Sequence, residues 1–551
     1  MIIAASSLFA GQVLHADLVI VNANIRTMDA KRTVARSLAV LNGRIVAVGS
    51  DAETKPLIGA GTRVIDAGGK LVMPGFNDAH THFLETGVQL SSLDLRSANT
   101  PVEFVERIRE FAAKQPKGRW ILGGKWDHEN WTPSELPTAA MIDSVTPNNP
   151  VLIDRLDGHT ALANSLALKL AGINKDTKDV PGGVIGRTAA GDPNGILQDA
   201  AIEIVNRAIP LMTFDQRADA IQAASDHAAS LGITSVHEMG FSTEPAAVMG
   251  TEVGVYQELA RRGTLKTRVY VAAPLAEWLR LSKTGIHRGF GSEMVRMGGL
   301  KGYSDGSLGS RTAWLFEPYL DDPKTKGLVF EPMSIINERV LGADKAGLQI
   351  AIHAIGDRAN DEVLDIYQKV AETNGERDRR FRIEHAQHLR QEDIKRFGSQ
   401  KVIASMQPFH LIDDGRWAGK RLDDKRLAGT YAFRTLLDTG GVLAFGSDSP
   451  VAPINPLLGV YAAVTRRTLD DKNPNGWIPE QKISVDEAVK AFTWGSAYAE
   501  FQDGVKGTLE IGKLADFVIL SDDIFTIDAT KIASVTVIST IVDGKVVYER
   551  K

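Results

Sequence analysis

Six side chains that can bind a metal follow short apolar segments along the chain. They are His80 and His82 in GFNDAHTH, Lys301 in GGLKGYSDGS, His353 in IAIHAIGD, His385 in RIEHAQH and Asp448 in AFGSDSP. Imidazole nitrogens and carboxylate oxygens bind divalent cations, whereas a protonated Lys repels them. A neutral, desolvated Lys can react with CO₂ to give a carbamate, which has the form of a carboxylate. These residue types indicate a metal site that activates water for hydrolysis.

The spacing of His80 and His82 favours a shared metal ion. In extended backbone, residues i and i+2 point to the same side, so both imidazoles would face one cation. His353 and His385 end two further apolar segments. A single His in such a place is more often structural. Their occurrence together with the His80–His82 pair makes both of them predicted metal ligands.

Asp448 and Lys301 each leave two interpretations open. Asp448 in the segment GSDSP either forms an Asx turn or helix cap before the proline, or binds metal and accepts a proton from water. Lys301 is either a carbamate that bridges two cations or an ordinary cation paired with Asp305. We predict that Lys301 is the bridging carbamate. We predict that Asp448 binds metal and is the catalytic residue that accepts a proton from water.

Eight apolar segments with strand character would position these residues. They are residues 71–78, 233–237, 268–273, 295–301, 349–354, 381–385, 402–407 and 442–448. They alternate with helical stretches such as 217–232 and 484–501, a pattern typical of parallel βαβ units. The sequence therefore predicts an α/β fold, a TIM-like (β/α)8 barrel with its active site at the carboxyl ends of the strands.

The two ends of the chain have a different character. Segments 16–28, 37–49, 506–520 and 534–550 are rich in Val and Ile, and Asn42-Gly43 and Asp543-Gly544 are hairpin-turn pairs. We predict a small composite β-sandwich from residues 16–70 and 505–551. The barrel would comprise residues 71–84 and 216–504, and residues 85–215 would form an insertion domain after the first strand, near the barrel mouth.

Composition excludes several classes of protein. The 551 residues carry a formal net charge of −5 and no Lys/Arg-rich run, so a nucleic-acid partner is not expected. The sequence contains no uninterrupted apolar stretch of about 20 residues, so no membrane helix is predicted. The absence of cysteine excludes disulfides, thiolate zinc sites and a Cys nucleophile. The first residues, MIIAASSLFAGQVLHA, lack a basic start and a clear cleavage site, so we expect a cytoplasmic location, with export as the alternative.

The motifs resemble those of the amidohydrolase superfamily, and within it the amidohydrolase 3 group, which includes N-substituted formamide deformylase and the YtcJ-like hydrolases. The resemblance is carried by MPGFNDAHTHF (73–83), RLDGHTALANS (155–165), KGYSDGSLGSRTA (301–313), IHAIGDRAND (352–361), RIEHAQ (382–387) and FGSDSPV (445–451). It implies one or two divalent metals, usually Zn²⁺, and an N6-carboxylysine at position 301. In that scheme one metal is bound by His80, His82 and Asp448, the second by His353 and His385, and carboxylated Lys301 bridges them.

The residues predicted to bind substrate are Trp126, His159, Tyr303, Arg311 and His237. Two more aromatic candidates for the pocket wall are Trp131 and the Phe409-His410 pair. Aromatic residues more often pack in a core, and an Arg such as Arg311 is as often held by an acid as by a substrate carboxylate or oxyanion.

The function expected from these residues and this resemblance is metal-dependent amide hydrolysis. The predicted substrate is a small molecule with a non-peptide C–N bond: an N-formyl or N-acyl amine, or an aryl or cyclic amide. Hydrolysis of an ester, carbamate or lactone at the same site is the alternative. A non-catalytic scaffold is disfavoured because all six ligand positions are present. Barrels with composite sandwiches often pair, so the resemblance also leads us to expect a homodimer.

Overall fold

An eight-stranded parallel barrel carries the six predicted metal ligands. The computed structural model describes residues 15–155, 159–240 and 250–551. The barrel strands are β1 (Phe76–Thr81), β2 (Ile233–Glu238), β3 (Arg268–Pro274), β4 (Val295–Tyr303), β5 (Gln349–Ala354), β6 (Arg382–His385), β7 (Ile403–Met406) and β8 (Val442–Phe445). Each strand pairs in parallel with the next, in the order β1 to β8. The predicted (β/α)8 architecture is confirmed.

The barrel closes between β8 and β1 through hydrogen bonds between the segment of His80 and His82 and the segment of Asp448. The backbone amide of Asp448 donates to the carbonyl of His80 at 2.7 Å, and the amide of His82 donates to the carbonyl of Ser449 at 2.8 Å. A Cβ atom on Gly446 would lie 2.5 Å from the amide nitrogen of His80, so only glycine allows this approach. Closure therefore fixes Asp448 beside the two histidines.

Helices lie between the barrel strands or follow β8. They include Phe83–Leu90, Phe214–Ser230, Gly250–Arg262, Trp278–Lys283, Met333–Lys345, Asp357–Asn374, Gln391–Ser399, Pro408–Asp414, Asp424–Leu427, Phe433–Asp438, Pro456–Thr465, Val485–Lys490 and Ser496–Ala499. The predicted helix at 484–501 is interrupted by a π-helical turn at Ala491–Gly495. Within that turn Gly495 packs against the carbonyl of Leu443, where a Cβ atom would come within 2.2 Å. The π-helical turn therefore lies where Gly495 packs against strand β8.

The first predicted strand, 71–78, combines two strands that belong to different sheets. Leu71–Pro74 pairs with Phe517–Leu520 and Asn24–Arg26, whereas β1 starts at Phe76. The apolar run continues through Pro74-Gly75, so periodicity alone did not reveal the change of partner.

A two-sheet sandwich is built from both ends of the chain, as predicted. One sheet has the order Arg44–Gly49, Ser37–Leu41, Leu18–Val21, Arg63–Asp66. The other has the order Lys545–Glu549, Val537–Val542, Phe517–Leu520, Leu71–Pro74, Asn24–Arg26, Val34–Ala35. Their buried faces share one core that includes Leu18, Ile20, Ile25 and Phe517.

Both predicted hairpin turns of the sandwich are present. Asn42 and Gly43 have φ values of 51° and 73°, and Asp543 and Gly544 have 55° and 71°. Two successive positive φ values match the type I′ turn that joins twisted antiparallel strands, and Gly adopts this backbone without a steric cost.

Residues 87–220 form a separate compact unit with its own sheet. The strand order is Gly183–Arg187, Pro193–Asp199, Thr160–Ala163, Leu152–Arg155, Gly123–Trp126, Leu93–Asp94. Its helices include Pro101–Ala112, Ala139–Asp143, Ser165–Leu170 and Ile202–Asn206. The predicted insertion, 85–215, covers nearly the same residues. Its proposed location near the barrel mouth stays a prediction.

Within the described residues, no helix combines the length and apolarity needed to cross a bilayer. The segment considered for an export signal falls almost wholly outside the described residues, which begin at residue 15.

Candidate metal centre

The carboxyl ends of the barrel strands bring the six predicted ligands together. His80 lies in β1, and His82 follows that strand. Lys301 lies in β4, His353 lies in β5, His385 is the last residue of β6, and Asp448 comes three residues after β8. All are buried except His353, which is partly exposed. Parallel pairing explains the convergence, because strand ends of the same polarity meet at one rim.

His80, His82 and Asp448 form the tightest group. Asp448 Oδ1 lies 3.1 Å from His82 Nε2 and 3.5 Å from His80 Nε2. Two ligands each about 2.05 Å from a tetrahedral zinc ion are about 3.4 Å apart. These three side chains therefore have the chemistry and the separations of one metal-binding set.

Three of the predicted histidine ligands are held neutral. Burial, reinforced by the charge of Lys301, lowers the pKa of His80 to about 4 and that of His353 to about 3. Burial, and then the neighbouring His353, lower the pKa of His385 well below its usual value. A metal binds only the deprotonated imidazole, so these histidines need not lose a proton to act as ligands at neutral pH.

Asp448 is ionised and conformationally constrained. Burial would raise the pKa of its carboxyl, but His80, the hydrogen bond from His82 and His385 together hold it well below its usual value. The residue has φ 61°, in the left-handed region that non-glycine residues adopt rarely. His385 shares this feature with φ 74°. Such backbone outliers concentrate at functional sites, where surrounding structure over-determines them.

Lys301 faces the histidine group rather than Asp305. Its Nζ lies 3.1 Å from His80 Nε2 and 5.0 Å from the Tyr303 ring centre. Burial lowers the pKa of Lys301 to about 8, against the opposing charges of Glu384 and Asp448. Asp305 instead accepts backbone N–H bonds, and no ion pair joins it to Lys301 within the described residues.

Sequence reasoning missed Glu384, which orients His80. Glu384 Oε2 lies 2.6 Å from His80 Nδ1 and accepts a hydrogen bond from Ser405 Oγ at 2.7 Å, and its Oε1 accepts one from Arg382 Nε at 2.7 Å. Burial alone would raise the pKa of Glu384, but the charge of Arg382 and the contact with His80 hold it well below its usual value. An ionised Glu384 requires the proton of His80 on Nδ1, which leaves Nε2 free to bind metal.

A sequence signal for this pair was available. In FRIEH, Arg382 and Glu384 alternate with apolar residues in a strand whose four residues are all buried. Charged side chains at i and i+2 in such a strand face the same side, where they must neutralise each other. This spacing could have predicted an ionic layer inside the barrel.

His237, one of the predicted substrate-binding residues, belongs to that buried ionic layer. Its Nδ1 lies 2.7 Å from Arg382 Nη1, and its Nε2 lies 3.3 Å from Glu500 Oε1. Glu500 in turn pairs with Lys506 at 2.8 Å. The imidazole is fully buried among these charges, which favours a structural role.

Tyr303 and Arg311 lie in and after β4. Tyr303 is opposite His353 in the β4–β5 register, and the two ring centres are 5.4 Å apart. Tyr303 is therefore beside His353, one of the predicted metal ligands. Arg311 is partly exposed and forms a two-pronged ion pair with Asp321 at 2.9 and 3.2 Å. This ion pair matches the alternative in which Arg311 is held by an acidic residue and not by a substrate group.

Trp126 and His159 lie in the unit of residues 87–220. The Trp126 side chain is fully buried, and its indole N–H donates to the carbonyl of Ile153 at 3.0 Å. His159 is exposed, with Nδ1 2.8 Å from Asp199 Oδ1. Trp126 and Trp131 pack in the core of that unit. Core packing was the alternative to substrate binding for these aromatic residues.

The model of the amidohydrolase family matches residues 63–548, nearly the whole chain. Protein LONG AFTER FAR-RED 3 of Arabidopsis thaliana is 42% identical over 541 residues, covering 97% of this chain and 92% of the relative. N-substituted formamide deformylase of Arthrobacter pascens is 27% identical over 554 residues, covering 97% of this chain and 98% of the relative.

A solved structure of an uncharacterized metal-dependent hydrolase from Pyrococcus furiosus is also similar. It has a TM-score of 0.77 and 30% sequence identity, and the match covers 92% of this chain and 100% of that chain. The likeness thus extends over the barrel, the sandwich and the unit of residues 87–220.

Proposed function

The chain belongs to the amidohydrolase family and is a hydrolase, and from this premise we propose that it cleaves a carbon–nitrogen bond outside peptide chains with a divalent cation. The favoured substrates are N-formyl or N-acyl amines and aryl or cyclic amides. The observation that carries the proposal is the ionised Asp448 carboxylate 3.1 Å from His82 and 3.5 Å from His80. The formamide deformylase relative supports the choice of an amide bond.

His80, His82 and Asp448 are the residues that would hold the cation, for which Zn²⁺ is favoured by the imidazole and carboxylate ligands. When bound, the cation would polarise the substrate carbonyl and lower the pKa of a water molecule. Glu384 would keep Nε2 of His80 directed at the cation by accepting the Nδ1 proton.

Asp448 would perform the proton transfers. Its ionised carboxylate accepts one proton of the attacking water and delivers that proton to the leaving nitrogen. The hydroxyl of the water stays on the acyl carbon while the C–N bond breaks, so the products are an acid and an amine. Neither transfer requires another acid, because Asp448 returns to its ionised form.

Carboxylation of Lys301 forms part of the proposal. With a pKa of about 8, roughly one-tenth of the Lys301 amines are neutral at pH 7, about 300-fold more than for a Lys of ordinary pKa. The neutral amine is the form that attacks CO₂. Its location 3.1 Å from His80 Nε2 would place the resulting carbamate beside the cation-binding residues.

The test is a hydrolysis screen on enzyme loaded with Zn²⁺ in bicarbonate buffer. Formamides, N-acyl amines, aryl amides and cyclic amides are compared with matched esters and lactones, and Asp448→Asn is the control for background activity. We expect amide cleavage that Asp448→Asn lacks. Cleavage of esters alone would contradict the substrate class, and a protein that binds no metal would contradict the mechanism.

A further inference from the structure

An exposed apolar segment lies in the long loop after strand β4. Leu328, Val329 and Phe330 are consecutive large apolar residues, with exposed fractions of 56%, 41% and 65%. Single exposed apolar side chains are ordinary on a protein surface, but a continuous run of them is unfavourable in water unless it has a function. The segment therefore indicates a surface that binds an apolar group.

Backbone hydrogen bonds hold this segment beside the residues that follow β4. The amide of Phe330 donates to the carbonyl of Ser304 at 2.9 Å, and the amide of Leu328 donates to the carbonyl of Thr312 at 3.1 Å. A Cβ atom on Gly306 would lie 3.4 Å from the Phe330 ring, so this ring lies directly against Gly306. The exposed segment is thus fixed at the carboxyl end of β4.

The Phe330 ring ends a row of rings that begins at the predicted metal ligands. The ring centres of His385 and His353 are 4.4 Å apart, those of His353 and Tyr303 are 5.4 Å apart, and those of Tyr303 and Phe330 are 6.5 Å apart. The last two separations are typical of interacting aromatic rings. A flat apolar group bound along Tyr303 and Phe330 would therefore adjoin the reacting centre.

The position of Asp448 decides which end of an amide can reach this row. Strands β4 and β8 lie on opposite sides of the eight-stranded barrel; Tyr303 ends β4 and Asp448 follows β8. Proton delivery from Asp448 requires the leaving nitrogen within roughly 2.6–3.2 Å of its carboxylate. The acyl substituent diverges from the nitrogen at the carbonyl carbon, so it points toward β4 and Phe330.

The loop that carries Phe330 favours an uncharged acyl group. Its Arg311 is held by Asp321 at 2.9 and 3.2 Å, and the Nζ of Lys326 donates to the carbonyl of Phe316 at 2.6 Å. Both cations already have partners, so a substrate carboxylate would have to displace one of them. An apolar group needs no such exchange.

We propose that Tyr303 and Phe330 form a subsite for the acyl group of the substrate, and that the protein prefers N-acyl amines with an aryl-bearing acyl group to N-formyl amines. The inference rests on the proposed amide hydrolysis and narrows its substrate class. Phe330 is then a residue that determines specificity.

The experiment measures binding separately from turnover in the full-length protein. N-butylphenylacetamide and N-butylformamide share one amine and differ in the acyl group, whereas N-(2-phenylethyl)formamide carries a phenyl ring on the nitrogen side. Asp448→Asn in Zn²⁺ buffer, which should bind an amide without cleaving it, is titrated with each compound by calorimetry. The ratios of kcat/KM are measured on wild type loaded with Zn²⁺.

We expect Asp448→Asn to bind N-butylphenylacetamide about 30-fold or more tightly than N-butylformamide, because the phenyl ring is buried. Adding Phe330→Ala should lower this ratio at least about fivefold, and Phe330→Ala alone should lower the ratio of kcat/KM similarly. The affinity for N-(2-phenylethyl)formamide relative to N-butylformamide should not depend on Phe330.

Phe290→Ala is the matched control. Phe290 is also an exposed phenylalanine, at 52%, but it pairs with Met297 near the amino end of β4, away from Tyr303. We expect this variant to keep the wild-type ratio. Phe330→Leu provides a second variant, which keeps an apolar side chain and should retain part of the preference.

The inference would be overturned by an unchanged ratio in Phe330→Ala, by an equal loss in Phe290→Ala, or by dependence on Phe330 for the ring on the nitrogen side alone. Equal affinity of Asp448→Asn for the two butyl amides would also overturn it. Each of these results leaves the hydrolase proposal standing if wild type cleaves any of the amides. Binding that depends on Phe330 in a protein that cleaves none would defeat the hydrolase proposal and support the subsite.

Discussion

Replacing Glu384 by Gln tests whether a buried carboxylate prepares His80 for metal binding. Glu384 accepts hydrogen bonds from Arg382 at 2.7 Å and Ser405 at 2.7 Å, and its Oε2 lies 2.6 Å from His80 Nδ1. Gln has nearly the same shape but no charge. The substitution leaves the Arg382 guanidinium buried without its carboxylate, and one amide oxygen replaces the two carboxylate oxygens that serve Arg382, Ser405 and His80.

Two losses of different size should follow from Glu384→Gln. Removing one partner of a buried ion pair typically costs about 3–5 kcal/mol of folding free energy. Losing the carboxylate that orients a metal-binding histidine typically lowers metal affinity roughly 10–100-fold. Ser405→Ala is the matched control, because it removes the hydrogen bonds that Ser405 Oγ donates to Glu384 and accepts from Arg382, each worth about 1.5–3 kcal/mol, and keeps both charges.

The assay combines zinc affinity, from competition with a chelator, with urea unfolding of the metal-free protein. We expect Glu384→Gln to lose both zinc affinity and stability, and Ser405→Ala to lose mainly stability. The reasoning would be refuted if Glu384→Gln bound zinc within twofold of wild type. It would equally be refuted if Ser405→Ala lost as much affinity as Glu384→Gln.

The remaining predictions concern proton transfer, the carbamate and pH. Asp448→Asn should lower kcat by about 10²–10⁴-fold, measured on any cleaved amide; near-normal turnover would remove its role in proton transfer. Lys301→Ala should lower the metal content measured by elemental analysis, with partial recovery in formate or acetate, and an unchanged metal content would contradict the carbamate bridge. Burial lowers the pKa of His388 to about 3, so its contribution to stability is complete above pH 6.5 and declines toward pH 3 by about 1.4 kcal/mol per unit. His388→Gln should therefore flatten the pH dependence of the urea midpoint below pH 6.5, and parallel curves for the two proteins would contradict this.

Several features of the fold were predictable because their signals are local. Strand–helix alternation predicted the barrel, and seven of the eight strand segments overlap the observed strands with small shifts at the ends. The turn pairs Asn42-Gly43 and Asp543-Gly544 predicted two hairpins of the sandwich correctly. Gly tolerates positive φ wherever it occurs, so this signal needs no knowledge of distant residues.

The first strand shows where local signals fail. Leu71–Pro74 and Phe76–Thr81 are separated in sequence by Gly75 alone, yet they pair with different sheets. Pairing is decided by partners elsewhere in the chain, such as Phe517–Leu520 for the first of the two strands. Residue periodicity carries no information about those partners.

The sequence by itself determined which side chains can bind a metal and that His80 and His82 face the same side, because alternation in a strand is a property of two neighbouring residues. Only the tertiary structure decided what surrounds them. Glu384 orients His80 from a position 304 residues away, and His410 approaches the second oxygen of Asp448 from the helix after β7. Burial and charge at the site are sums over such distant neighbours, so they are fixed only when the barrel closes.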